Sequence, residues 1–150
     1  MLQALLIDRF QLRFHRESKE LDGYSLVMVR AGQLGPGLHR SSVDCEKAFA
    51  TTPRCREGFI TGGGRFKTVG APLYTIVNVI VNQVRAPVLD RTQLGGPFDL
   101  DLSWSPDLAG TDDATSIFTA LKEQLGLKLD RRRVPTEMFV IDHIERPTPD

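Results

Sequence analysis

The feature of this sequence that most constrains its fold is a pattern that occurs three times. Each occurrence contains an apolar stretch with helical spacing, a short strand pattern, a turn and a second strand pattern. The three occurrences cover residues 2–29, 73–104 and 117–144. Because an αββ unit of this size cannot bury its apolar face alone, the units must pack against one another. The pattern therefore predicts an α+β fold built from repeated αββ units.

The second occurrence carries the clearest periodicities. Apolar residues between Leu73 and Val84 recur at the spacing of a helix that is buried on one side. The stretch from Phe98 to Trp104 alternates apolar with polar residues, which predicts a strand with one buried face. Together the periodicities of the chain predict a core of Leu73, Ile76, Val77, Ile80, Phe98, Leu100, Leu102, Leu121, Leu125, Val140 and Ile141.

Turn signals divide the strand patterns of the first and third occurrences. The Asp-Gly pair at 22–23 follows a charged stretch and is typical of a hairpin turn. The arginine run at 131–133, with a proline shortly after it, predicts the end of a second hairpin. The last strand pattern, Met138 to Ile144, is apolar on both faces, which favours a central position in a sheet. Before the third helix, Asp112 and Asp113 are expected to cap its first turn.

A stretch without periodicity separates the first occurrence from the others. Residues 32–57 are rich in glycine, proline, serine and threonine, and they predict a linker between two lobes. The predicted organisation is 1–31 as the second half of a truncated αββ lobe, 32–57 as a linker with the cysteine pair, 58–146 as a complete β-α-β-β-α-β-β lobe, and 147–150 as a tail.

Both cysteines lie in this linker. Cys45 and Cys55 are close enough in sequence for a disulfide, which would close a short loop and imply an oxidising compartment. Two unpaired thiols are the alternative. A metal site is the third possibility, but the spacing is not that of a zinc pair and only His39 lies nearby. We expect the disulfide.

Composition excludes several classes of function. The chain has 19 basic and 19 acidic residues, so it lacks the broad positive charge that is typical of nucleic-acid-binding or membrane-surface proteins. No apolar run approaches the about 20 residues that span a bilayer. The first ten residues lack the basic start and the cleavage site of a signal peptide, and they indicate a helix of a domain whose beginning is missing.

Candidate catalytic residues do not form a group in the sequence. The histidines His15, His39 and His143 are scattered. Asp142, His143 and Glu145 are the types used for acid–base chemistry, but Asp142 and His143 are neighbours on a strand and point to opposite faces. The serines lie in no nucleophile motif. The sequence therefore predicts no catalytic residue.

Other motifs also have a structural explanation. The glycines at 62–64 lack the lysine and the spacing of a phosphate-binding loop, which favours a tight turn. The acidic residues near 99–101 lack the ligand density of a calcium loop. The arginines at 131–133 could bind phosphates, although solvated side chains at a hairpin end are the simpler interpretation. We expect no cofactor, no metal and no nucleic-acid partner.

Several stretches resemble a known family, namely Met1 to Leu12, His15 to Leu21, Val88 to Gly96, Phe118 to Leu129 and Val140 to Glu145. They resemble a large paralogous family of exported acidobacterial proteins of unknown function, some attached to antirepressor-type membrane metallopeptidases of the BlaR kind. The resemblance implies an extracytoplasmic protein whose export signal is missing from this chain. The family has no established catalytic residues, so the resemblance assigns none.

A second resemblance concerns the order of elements. Residues 65–144 follow the order strand, helix, strand, strand, helix, strand, strand, which resembles the short N-terminal domain of secretins and TonB-dependent transducers. That domain recruits protein partners in the periplasm. The resemblance implies two such lobes, of which the first is incomplete.

These observations predict an extracytoplasmic protein-interaction or sensor domain that lacks catalytic activity and binds another envelope protein. A small-ligand-binding module with a groove between lobes is the alternative, and an enzyme of unknown type is the third possibility. The strand pattern at Leu12 to Phe14 is expected to lack a neighbour, because the segment before it is missing. It could pair with a second copy and give a homodimer by strand addition.

Overall fold

The computed structural model of the chain describes residues 2–48, 52–57, 60–106 and 115–147. Its helices are α1 (Leu2–Phe10), α2 (Cys45–Ala48), α3 (Pro53–Glu57), α4 (Tyr74–Val84) and α5 (Ile117–Ala120), and α5 continues into a π-helical turn, Leu121–Leu125. Its strands are β1 (Arg13–Met28), β2 (Leu38–Arg40), β3 (Ile60–Gly62), β4 (Arg65–Pro72), β5 (Val88–Asp90), β6 (Pro97–Ser103) and β7 (Leu127–His143).

The strands form two sheets. The first sheet has the order β5-β1-β7, in which β1 runs parallel to β5 and antiparallel to β7. The second sheet has the order β2-β6-β4-β3 and is antiparallel throughout. Two sheets with few, short helices confirm the predicted α+β class.

In the hydrophobic core, helices α4 and α5 pack against the apolar face of the second sheet. Strand β6 alternates as its sequence predicts, and Phe98, Leu100 and Leu102 are all buried. Leu26 of β1 and Leu127 of β7 join the same cluster, so one end of the first sheet is anchored in the core. The other buried members of the cluster are Leu38, Phe66, Leu73, Ile76, Ile80, Ile117, Ala120, Leu121 and Leu125.

Most of the predicted core is confirmed, except at the end of the chain. Val77 packs against the core while partly buried, and Val140 is also only partly buried. Ile141 is 60% exposed, so its placement in the core is wrong. The reason is that β7 is an outer strand of its sheet and not the predicted central one. The apolar side chains at this end of β7 lie on a surface.

Both turns predicted inside the first and third occurrences are wrong. Residues 22–23 lie opposite residues 132–133 in continuous register, so the two turn signals pair with each other inside a long ladder. Each occurrence contains one long strand in place of two. The main-chain hydrogen bonds between β1 and β7 extend along almost their whole length. They override the turn preference of the Asp-Gly pair at 22–23.

Gly23 does not form a turn, but it allows Pro87 to approach β1 closely. Pro87, the residue before β5, lies directly beside β1 at this point, and the Tyr24 N–H donates to the Pro87 carbonyl at 2.9 Å. A Cβ at Gly23 would collide with that same carbonyl oxygen. The glycine therefore allows β5 to begin directly beside β1.

The predicted pairing of Cys45 with Cys55 is present, and the Cα atoms of the two residues lie 5.5 Å apart. Both sulfur-bearing side chains are buried. The bridge packs against a bulge of β4, where Gly70 has φ of +60° and a Cβ would meet the Cys45 sulfur. Closing so short a loop stabilises the fold by about 3 kcal/mol in the chain-entropy treatment.

The turn at 62–64 is present, and the cap of α5 differs from the predicted one. The glycines at 62–64 form the tight turn between β3 and β4. Asp112 and Asp113 lie outside the described residues, and the N-cap of α5 is Ser116, whose hydroxyl accepts the Thr119 N–H. The domain boundaries stay predictions. The predicted linker contains β2, α2 and α3, and β1 shares its sheet with strands from residues 88–90 and 127–143.

Replacement of Leu121 by alanine tests the placement of the last helix. Leu121 is fully buried among the core residues of α4 and β6. Leu121→Ala removes these contacts and leaves a cavity, so we expect the free energy of unfolding to fall by about 2–5 kcal/mol. Urea denaturation followed by circular dichroism measures it. Lys122→Ala, at the exposed neighbouring position, is the control. Equal midpoints for the two variants would contradict this placement.

Candidate functional site

The two long strands extend beyond the rest of their sheet as a two-stranded ribbon. Strand β5 accompanies β1 only from Tyr24 to Leu26. From there outwards, residues 13–22 of β1 pair with residues 133–143 of β7 alone, among the described residues. We call this part the ribbon. The pairing register decides which side chains share each of its two faces.

One face of the ribbon carries an apolar patch near its free end. The patch consists of Leu12, Phe14, Phe139 and Ile141, which line a groove of about 290 Å³ together with Arg16. The rings of Phe14 and Phe139 meet edge to face with centroids 5.5 Å apart. The Arg16 guanidinium lies 5.2 Å from the centre of the Phe139 ring, in cation–π contact.

The apolar patch is strongly exposed. Phe139 is 62% exposed and Ile141 60% exposed, although both occur in a strand. Close by, the Phe10 carbonyl at the end of α1 accepts the Glu145 N–H at 2.8 Å, so α1 meets the ribbon at this end. Leu5 and Ile7 of α1 are also exposed. An apolar surface held in fixed geometry is typical of a binding site.

The opposite face of the ribbon carries a polar cluster, which lies beside apolar side chains of β7. The Nδ1 atom of His15 lies 2.9 Å from a carboxylate oxygen of Asp142, and its Nε2 atom lies 3.7 Å from Glu17. Lys19 extends the cluster with an ion pair of 3.0 Å to Glu17. The hydrogen bond and the charge of Asp142 raise the pKa of His15 above its ordinary value, against a smaller opposing effect of desolvation.

The structure separates the acid–base residues that the sequence placed close together. Asp142 contacts His15, whereas His143 contacts Glu145 at 2.8 Å. His39 lies on β2 in the other sheet. None of these groups has a serine or cysteine nucleophile beside it among the described hydrogen bonds. Over the same ranges, no three histidine, cysteine, aspartate or glutamate side chains are grouped as a metal site would require.

Along one edge of β1, residues 14–22 have no neighbouring strand among the residues that the structure describes. The Tyr24 N–H donates to the Pro87 carbonyl just before β5, and the Leu26 carbonyl accepts the Arg91 N–H just after β5. Main-chain groups alternate sides along a regular strand, and the register is regular from Phe14 onwards. The even-numbered residues 14–22 therefore direct their N–H and C=O groups to the free edge. One of these groups, the Glu20 carbonyl, accepts a hydrogen bond from the Arg133 side chain at 2.8 Å.

A second cavity lies where the ribbon joins the three-stranded part of the sheet. This arginine groove has a volume of about 530 Å³ and is lined by Asp22, Gly23, Tyr24, Ala86, Arg131, Arg132 and Arg133. Arg133 lies 3.8 Å from the exposed carboxylate of Asp22. Within the described part of the chain, Arg131 and Arg132 have no ion-pair partner. The Tyr24 ring is held edge to face by Phe118 at 5.6 Å.

The sequence contained part of this information. The solvated arginines were expected, but at a hairpin end and not in a groove. The apolar patch was missed because it joins residues 12–14 to residues 139–141, which no local pattern connects. A partial signal was present, since residues 12–15 alternate apolar with basic residues and residues 139–141 are all apolar.

These features define a disulfide-containing α+β domain with a ribbon that carries an exposed apolar surface. A family model described as "Protein of unknown function (DUF3738)" matches residues 1–144. Because the match covers nearly the whole chain, the chain belongs to this family. No curated protein and no solved structure matches it. Membership of a family of unknown function was expected; the acidobacterial origin and the export stay predictions.

No helix within the described ranges combines the length and the apolar character needed to cross a bilayer.

Titration of His15 tests the geometry of the polar cluster. Ionised Asp142 stabilises the imidazolium, so the pair adds stability that is fully present below the unfolded pKa and is lost as the pH rises through the higher folded pKa. We expect an NMR titration to give a His15 pKa above 6.5. Asp142→Asn should lower it, whereas Asp130→Asn, which removes a partner of Lys128 on the same strand, should not. An unchanged pKa in Asp142→Asn would disprove the contact.

Proposed function

We propose that this chain is an extracytoplasmic protein-interaction domain that acts by binding and not by catalysis, and that the ribbon is its binding surface. The observation that carries the proposal is the apolar patch, which remains exposed beside an unpaired strand edge. Burial of this patch against a partner would remove apolar area from water, at about 25 cal/mol per Å².

The partner that fits this surface is an extended segment of another envelope protein. A strand added to the free edge of β1 would find main-chain donors and acceptors at every second residue. Its alternate side chains would face the groove between Phe14, Phe139 and Ile141. The edge-to-face contact of the two phenylalanine rings holds the groove in shape, which lowers the entropic cost of binding.

The proposed compartment depends on the disulfide. Cys45 and Cys55 form a buried bridge, and such bridges persist in oxidising compartments. The resemblance to exported proteins favours the same placement. So does the resemblance of residues 65–144 to the partner-recruiting short domain of secretins and TonB-dependent transducers.

A binding role without catalysis agrees with the surroundings of the polar residues. His15 and His143 each contact a carboxylate on an open surface. Ser41 and Ser116 use their hydroxyls to accept neighbouring main-chain N–H groups. Catalysis needs a nucleophile, a base and an orienting group in one place. Hydrolase turnover that disappears in His143→Ala would overturn this part of the proposal.

Selection of peptides on the immobilised chain tests the binding surface. From a phage-displayed random library we expect the wild-type chain to enrich extended peptides rich in β-branched and aromatic residues. The double variant Phe139→Ser/Ile141→Ser should bind the enriched peptides at least about tenfold more weakly, because it removes two large apolar contacts.

The control is Ile60→Ser, which removes a partly exposed apolar side chain from the other sheet. It should bind the enriched peptides as the wild type does. Peptides that bind the wild type and the Phe139/Ile141 variant equally well would refute the patch as the binding surface.

A second candidate function, the binding of a small anionic ligand, is favoured by the arginine groove. Three arginines and one aspartate line the groove, which gives its wall a net positive charge although the whole chain has none. Arg131 and Arg133 alternate onto the same face of β7 as Tyr24 of the paired strand. Guanidinium groups bind carboxylates and phosphates through paired hydrogen bonds.

Calorimetry with two anions tests this candidate. We expect inorganic pyrophosphate or citrate to bind the wild-type chain saturably, and the double variant Arg131→Gln/Arg133→Gln to bind at least about tenfold more weakly. Arg91→Gln, at an exposed arginine outside the groove, is the matched control. Pyrophosphate alone would indicate a phosphate ligand and citrate alone a carboxylate. The absence of saturable binding of either anion would exclude the candidate.

A further inference from the structure

We propose that two copies of this chain pair through the free edges of their β1 strands, antiparallel and around a two-fold axis at Ser18. The proposal rests on the proposed binding role of the ribbon and names a second copy as its occupant. Two properties of the strand select this centre, namely the length of the free edge and the order of its charges. The direction of its main-chain groups agrees with it.

The free edge has the length that such pairing needs. Strand β1 begins at Arg13, and β5 covers its edge from Tyr24 onwards. The uncovered segment is therefore 13–23, and its midpoint is residue 18. In an antiparallel pair centred there, Arg13 of one copy lies opposite Gly23 of the other. The added strand thus ends where Pro87 and β5 of the second copy begin.

The main-chain groups have the direction that such pairing needs. The even-numbered residues of the free edge point their N–H and C=O groups outwards, as indicated by the hydrogen bonds of Tyr24 and Leu26 to the residues on either side of β5. An antiparallel pair forms hydrogen bonds only between residues whose groups face each other. Centring at Ser18 places residue 14 opposite residue 22, 16 opposite 20 and 18 opposite itself. The outward-pointing N–H and C=O groups of the two copies then face each other.

The order of charges is self-complementary around the same residue. The sequence from Arg16 to Glu20 reads positive, negative, neutral, positive, negative. Reversal of this strand places Arg16 opposite Glu20 and Glu17 opposite Lys19, so opposite charges face each other on both faces of the pair. The two-fold axis forms each of these pairs twice.

Neighbouring registers with correct hydrogen-bond directions are disfavoured. A shift of the centre to residue 17 would place Glu17 opposite Glu17 of the second copy. A shift to residue 19 would place Lys19 opposite Lys19. Like charges directly opposite each other destabilise a strand pair. The charges therefore select the register, while the main-chain hydrogen bonds and the packed side chains supply the affinity.

One contact must change for the pairing to occur. The Glu20 carbonyl accepts a hydrogen bond from the Arg133 side chain in the single chain. In the pair this carbonyl accepts the Arg16 N–H of the second copy, and the largely exposed Arg133 side chain turns aside. Replacement of Arg133 by alanine should therefore leave the pairing intact.

Sedimentation of the charge variants tests the proposal. Wild-type chain should form a concentration-dependent dimer by analytical ultracentrifugation. Lys19→Glu places like charges opposite Glu17 twice, and it should weaken dimerisation by about tenfold or more. The exchanged double variant Glu17→Lys/Lys19→Glu restores opposite charges and should recover the wild-type constant. Lys122→Glu, at an exposed residue outside the ribbon, is the control.

A proline at the centre provides a second test. The Ser18 N–H points to the free edge and not to β7, so Ser18→Pro removes a donor that the single chain does not use there. We expect a folded monomer, checked by circular dichroism. In the wild-type dimer, hydrogen exchange of the even-numbered amides 16–20 should slow with concentration.

The outcomes separate this proposal from the proposed function. A wild-type chain that stays monomeric at millimolar concentration overturns the dimer, and peptide binding lost in Phe139→Ser/Ile141→Ser would still support the ribbon as a binding surface. A dimer that is unaffected by Lys19→Glu and by Ser18→Pro overturns the register at Ser18. A dimer weakened by Lys19→Glu and restored by the exchanged variant supports it.

Discussion

The pairing of β1 with β7 is the interaction on which the rest of this structure depends. It joins residues 13–28 to residues 127–143, and so brings the beginning and the end of the chain into one ladder. Closing so long a loop costs conformational entropy that a polar ladder alone does not repay. The compensation comes from one end, where Leu26 and Leu127 enter the core beneath α4 and α5. The ladder is therefore anchored at this end and extends freely at the other.

This asymmetry separates the part of the two strands that packs in the core from the part that we propose as the binding surface. The anchored end shares the core with the second sheet, and the disulfide fixes the segment that packs on β4. The free end lies outside that core cluster, so packing in this core does not restrict the choice of its side chains. The apolar patch lies at the free end, and the arginine groove lies where the free end meets the anchored end. A two-stranded ribbon needs such an anchor to keep its register.

The sequence predicts those elements whose signals are local. The helical period from Leu73 to Val84, the alternation of β6 and the cysteine pair each lie within a short segment, and the structure contains all three. The ribbon was not predictable in this way. The Asp-Gly pair at 22–23 has the chemistry of a turn, and only its pairing with residues 132–133 across the chain shows that it continues a strand. The contact of Arg16 with Phe139 depends on that same distant register.

The charges of the ribbon edge follow from the same constraint. An anchored ladder with a free end exposes a strand edge, and an uncharged edge would accept almost any extended chain. Arg16, Glu17, Lys19 and Glu20 prevent this, because each misaligned partner strand meets like or unpaired charges. Their alternating order still permits one antiparallel register of the strand with itself. The residues that disfavour unspecific pairing are therefore also the residues through which, as we propose, the edge selects its partner.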